Sequence, residues 1–118
     1  MSFVRRVAET SSLTETQLEC LALYRRVLSR DLTLAEAAKM RQPKPTKIGA
    51  FYHTVQQGRD NMREAVMTLT AGIWLGYVKL EDLRRLFDMV ANTPSAFDNE
   101  RAEQLLPVLE ALVAKIVP

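Results

Sequence analysis

Residues 33–66 read TLAEAAKMRQPKPTKIGAFYHTVQQGRDNMREAV. Both ends of this stretch have helical spacing, and its middle cannot be helical. Thr33-Leu34-Ala35-Glu36 is a capping box, in which a Thr hydroxyl and a Glu carboxylate satisfy free backbone donors at a helix start. Leu34, Ala37 and Ala38 then give a small apolar face that lets a neighbouring helix come close. This helix must stop before Pro43, because a residue preceding proline is pushed out of helical geometry. Gln42-Pro43-Lys44-Pro45 is a stiff connector, and Thr46 can cap the next helix. Ile48, Phe51, Val55, Met62, Val66, Leu69 and Ile73 follow at helical spacing as far as Gly76. The pattern fits one long helix or two helices broken near Gly58. Glycine costs about 1 kcal/mol against alanine inside a helix, so Gly58 implies a close approach or a bend.

Upstream, Thr14-Glu15-Thr16-Gln17 is a second capping box. Leu18, Leu21, Leu28 and Tyr24 or Val27 make an apolar stripe that predicts a helix ending near Ser29 or Arg30. Cys20 sits among leucines and reads as a buried packing thiol. Residues 1–12 read as a flexible tail. Downstream, Gly76 marks a helix stop. Leu80, Leu83, Leu86, Phe87 and Val90 predict a helix with Glu81 and Asp82 in its first turn, where the dipole favours acids. Residues 92–98 read as a loop. A last helix is expected over 99–116, with Pro107 predicting a kink or a break. No alternating strand pattern is present. The expected fold is all-α: a helix-turn-helix in 13–75, followed by C-terminal helices in 76–118 that pack on it or form a dimer interface.

The chain has 118 residues, a length that suits one modest core, and 25% of them are charged. Its net charge of +2 is unevenly spread. Residues 1–38 carry five basic and five acidic groups, residues 39–75 six and two, and residues 76–118 five and seven. The middle is therefore a candidate phosphate-facing region. No long apolar run suggests a membrane span, and the N-terminus lacks the apolar core of a secretory signal, so the expected location is the cytoplasm. With one cysteine, Cys20, and one histidine, His53, neither a disulfide nor a zinc site is expected. No cofactor is implied.

Leu13-Thr14-Glu15-Thr16-Gln17-Leu18-Glu19, then Asp31-Leu32-Thr33-Leu34-Ala35-Glu36-Ala37-Ala38, and after a turn Ile48 through Val66 with its Arg59-Asp60-Asn61-Met62-Arg63-Glu64-Ala65, together resemble a known pattern. The stretch is similar to the C-terminal promoter-binding domain of bacterial sigma factors and to response-regulator output domains. The resemblance implies a positioning helix, a turn and a recognition helix that binds double-stranded DNA. The connector is longer than the family's short turn and lacks its glycine. Nothing in the chain looks like the polymerase-binding domains of a full sigma factor, so a stand-alone transcription regulator or a DNA-coating protein fits the size better.

The residues themselves support the same expectation. A recognition helix packs one face on its domain and offers the opposite face to the major groove. If Ile48, Phe51 and Val55 face inward, then Lys47, Ala50, His53, Thr54 and Gln57 lie outward or at the edge. Gln56 and Gln57 can pair with adenine edges, and Gly49 and Ala50 allow close approach. Lys44, Lys47, Arg59 and Arg63 would lie near phosphates, Tyr52 can pack or touch DNA, and the Thr46 helix start offers free N–H groups. The competing reading of the basic residues is a solvated helix face. His53 reads as an exposed polar group rather than a catalytic base.

Residues 66–91 are unusually apolar, with Val66, Leu69, Ile73, Trp74, Leu75, Tyr77, Val78 and Leu80 among them. Either the C-terminal helices cover them, or part of this surface joins Leu105, Leu109, Leu112 and Ile116 in a homodimer interface. A dimer would present two recognition helices to half-sites about one DNA turn, ~34 Å, apart. The expected function is a small DNA-binding transcriptional regulator. The alternative is a helical adaptor that binds protein without nucleic acid. An enzyme is the weakest class, because no phosphate loop, metal-ligand set or nucleophile–base pair is present.

Overall fold

The computed structural model describes residues 2–41, 44–92 and 100–117. They form six helices, α1 (Ser2–Thr10), α2 (Glu15–Leu28), α3 (Leu34–Lys39), α4 (Ile48–Trp74), α5 (Leu80–Ala91) and α6 (Glu100–Ile116), with no strand among them. The fold is all-α, as expected. The expected connector residues Gln42 and Pro43, and most of the expected 92–98 loop, lie outside the described residues.

Both capping boxes form. The Thr14 hydroxyl accepts from the Gln17 amide at 3.1 Å, and the Gln17 side-chain oxygen accepts from the Thr14 amide at 3.1 Å. The Thr33–Glu36 pair repeats this at 3.2 and 3.0 Å. Hydrogen bonds from the Thr33 backbone amide and, second, from the Thr33 side chain hold the Glu36 carboxyl below its ordinary range. α2 closes on a left-handed residue that is not glycine. Arg30 has φ of 64°, its amide donates to the Val27 carbonyl, and the Asp31 amide donates to the Arg26 carbonyl, the paired bonds of a Schellman cap. Gly76, at φ of 83°, ends α4 the same way, with Tyr77 bonded back to Gly72 at 2.9 Å.

Packing divides the chain into two compact units, Phe3–Glu64 and the part from Ala65 onward. The division falls inside α4. The sequence boundary at 75/76 marks where a helix ends, which is a different property from which residues pack together.

In the first unit, residues 2–10 are helical, although the sequence reads as a tail there. Val4, Val7 and Ala8 are half-buried while Arg5 and Glu9 are exposed, so about two and a half amphipathic turns suffice without a capping signal. The core joins Cys20 of α2, Ala37 and Ala38 of α3, and Phe51 and Val55 of α4. Leu21, Leu23, Tyr24, Val27, Leu32 and Leu34 pack around it. Cys20 is the expected packing thiol, and burial raises its pKa. The alanines keep α3 close to this core. Gly58 does the same for α4: a Cβ there would lie 2.7 Å from Leu21 Cδ1 and 3.2 Å from Leu21 Cγ. The residue marks a close approach, and α4 continues through it unbroken. Asn61 adds a polar clamp, donating to the Ser12 carbonyl at 3.1 Å and to the buried Gln17 side chain at 3.0 Å.

In the second unit, Val78, Leu83 and Ile116 form a small core, with Leu69, Ile73 and Leu86 packed against it. Glu81 and Asp82 occupy the first turn of α5. α6 runs through Pro107 as one helix, so the proline does not break it. No described helix is long and apolar enough to cross a membrane.

Candidate nucleic-acid interface

α4 presents the site, and the α2–α3 pair fixes which side it presents. Phe51 and Val55 are fully buried and Gly58 is seated against Leu21. Those anchors turn Gly49, Ala50, His53, Gln56, Gln57, Arg59 and Arg63 to water, and all seven are exposed. Ile48 is a correction: it is 46% exposed rather than part of the inward face. Periodicity defines a face but not how far along it the neighbouring helices reach, and Ile48 stands in the first turn.

The helix start also differs in detail. The carbonyl of Lys47 accepts the first helical bond, from Phe51 at 2.9 Å, so Lys47 and not Thr46 holds the cap position. Thr46 is half-buried, and its amide is already used, donating to the Ala38 carbonyl at 3.1 Å. That bond ties the connector back to α3. The first-turn amides of α4 belong to Ile48, Gly49 and Ala50, which have no helical carbonyl preceding them. Nothing lies within 4 Å of a Cβ placed on Gly49, so this end is open. Lys44 and Lys47 are exposed beside it.

Further along, the outer face carries two polar stripes. Tyr52, Gln56, Arg59 and Arg63 recur at fours and threes on one side and line an open depression of about 410 Å³ together with Asp60. Tyr52 is half-buried, its ring packed at a tilt against Tyr24 with centroids 5.8 Å apart, so it packs while its edge lines the depression. Arg63 is bonded to Asp60 at 2.7 Å. Sequence reasoning left Asp60 out of the site, although the i,i+3 spacing of opposite charges signals such a pair. Both members are well exposed, so the pair contributes little stability, but it reduces the positive charge Arg63 offers. Arg59 has no ion pair among the described residues.

The other stripe holds Ala50, His53 and Gln57. His53 and Gln57 share a hydrogen bond of 3.2 Å between ring nitrogen and amide, and the Thr54 hydroxyl donates to the Ala50 carbonyl. The described partner of His53 is thus an amide, with no nucleophile or carboxylate bonded to it. Among the described residues no three His, Cys, Asp or Glu side chains are grouped so as to hold a metal ion. Arg41, in the connector, is half-buried, and its Nε is enclosed without a hydrogen-bond partner among the described residues.

No family model, no curated protein and no solved structure matches this chain.

Proposed function

We propose that this protein binds double-stranded DNA through α4, with α3 and the connector as the positioning half of a helix-turn-helix. One observation carries the proposal. A helix anchored by Phe51, Val55 and Gly58 carries Gln56, Gln57, His53 and Arg59 on its exposed face, with small Gly49 and Ala50 at its open start. A major-groove helix needs that division between an anchored and an exposed face.

In this reading Lys44, Lys47 and Arg59 neutralise phosphates and supply most of the affinity. A phosphate beside Lys47 also receives N–H groups from the first turn of α4, where the helix dipole favours negative charge. The glutamines supply sequence preference through paired hydrogen bonds to adenine. Gln57 must exchange its bond to His53 for a base edge, whereas Gln56 has no side-chain hydrogen bond among the described residues. The biological role that follows is transcription regulation.

Site-specific crosslinking tests the assignment. A photoreactive side chain at Gln57 should crosslink to duplex DNA, and the same group at Glu15, on the exposed start of α2, should not. Equal crosslinking at both positions, or none at Gln57, would remove α4 from the interface.

A further inference from the structure

The sequence leaves open whether the apolar residues of 66–91 are covered within the chain or form an interface, and the structure sorts them. Leu69, Ile73 and Val78 enter the core of the second unit. Leu106 and Ile116 are buried, and Leu105, Leu109 and Leu112 are half-buried. The α6 leucines are therefore largely covered within the chain.

A different set remains in water. Trp74 is 80% exposed, Leu75 73% and Tyr77 68%, with Met67, Leu80 and Phe87 also largely exposed. Met67 and Trp74 are seven residues apart and share a face of α4. Leu80 and Phe87 do the same on α5. Between them lies the Trp74–Tyr77 corner, held by the Gly76 cap and the Tyr77–Gly72 and Val78–Gly72 bonds. A Cβ on Gly72 would meet Val78 Cγ2 at 2.9 Å, so the corner is locked against the core as well.

We propose that this surface is a two-fold interface with a second copy of the chain. Three features favour that occupant. First, three of the six are exposed aromatics, each able to bury about 150–250 Å², so with Met67, Leu75 and Leu80 they supply a large part of the ~800 Å² each partner contributes to a stable interface. Second, the rim carries both signs of charge. Arg84 and Glu81 flank the Leu80–Phe87 face of α5, with no ion pair among the described residues. A rim of mixed sign can complement itself about a two-fold axis, whereas a strongly acidic or basic partner would meet repulsion from half of it. Third, among the described residues the unit's own core has few large buried side chains, and small units with little buried surface are commonly completed by association. The fixed corner supplies Trp and Tyr anchors that lose little freedom on docking. The proposal does not depend on DNA binding. If both hold, the pair carries two copies of α4 to one duplex.

Trp74 is the chain's one tryptophan, so the full-length protein reports on this surface directly. Sedimentation equilibrium over a wide concentration range should show the mass doubling and then levelling off. Over the same range Trp74 emission should shift to the blue and acrylamide quenching should fall. Trp74→Glu should hold the mass at one chain with the far-UV circular dichroism unchanged, and Tyr77→Glu is a second variant should the first lose its helices. A single-chain mass throughout, with a freely quenched indole, would overturn the proposal and assign the surface to another protein. So would a doubled mass that survives both variants, or a mass that grows without limit.

Discussion

Gly58→Ala should destabilise the protein even though alanine is the better helix former. In an open helix interior the exchange gains about 1 kcal/mol. Here the new methyl would stand 2.7 Å from Leu21 Cδ1, 3.2 Å from Leu21 Cγ and 3.5 Å from Gln17 Cβ. Rotating the Leu21 terminus relieves the first contact but not the second. The third atom belongs to a side chain held by Thr14 and Asn61. Overpacking of this kind costs about 1–3 kcal/mol, so the net effect lies between roughly zero and 2 kcal/mol of lost stability. Gly49→Ala is the control on the same helix. Nothing lies within 4 Å of its Cβ, so the exchange should stabilise by up to about 1 kcal/mol. Urea unfolding followed by circular dichroism gives both values. A Leu21→Ala background removes the obstacle, and there Gly58→Ala should turn stabilising, with a coupling of about 1–3 kcal/mol. The reasoning fails if Gly58→Ala stabilises the unmodified protein as much as Gly49→Ala does, or if the Leu21→Ala background leaves its effect unchanged.

Two further outcomes follow from the helix ends. Thr33→Ala removes the α3 cap and should cost about 1 kcal/mol. The Glu36 carboxyl is held below its unfolded value, so its contribution is present above the ordinary carboxylate range and is lost as pH falls through the depressed folded value. Acid titration of stability should therefore be shallower in Thr33→Ala than in the unmodified chain. Arg30→Gly should stabilise by about 0.5–1 kcal/mol, because Arg30 holds a left-handed φ of 64° that glycine adopts without steric cost. A lower melting temperature for this variant would contradict the cap geometry.

Much of this fold is legible because its determinants are local. Thr14 with Gln17, Thr33 with Glu36, and Gly76 with Gly72 each act within five residues, and the sequence displays them directly. The long-range determinants have no such signature. Gly58 announces an exception but not that Leu21 is its neighbour, and Asn61 gives no sign that it reaches Ser12. Residues 2–10 read as a tail in the sequence because they lack a capping signal. At the site, the outward direction of His53, Gln56 and Gln57 follows from the spacing of Phe51 and Val55. The cap at Lys47 and the tie between Thr46 and Ala38 do not, because they depend on where the connector leaves α3. In the C-terminal half the sequence shows an excess of apolar residues. Sorting them into Leu69, Ile73 and Val78 inside and Trp74, Leu75 and Tyr77 outside requires the turn that Gly76 sets.

The central claim, that the basic outer side of α4 and its connector bind duplex DNA, is tested most directly by a salt titration. The full chain and a Lys44→Ala, Lys47→Ala, Arg59→Ala variant are each titrated onto a random-sequence duplex, with affinity measured by fluorescence anisotropy at several salt concentrations. The account predicts binding that weakens steeply with salt, a weaker variant, and a logarithmic salt slope reduced by about 1 for each phosphate contact removed. No binding at low salt, or a variant with the same affinity and the same slope, would contradict it.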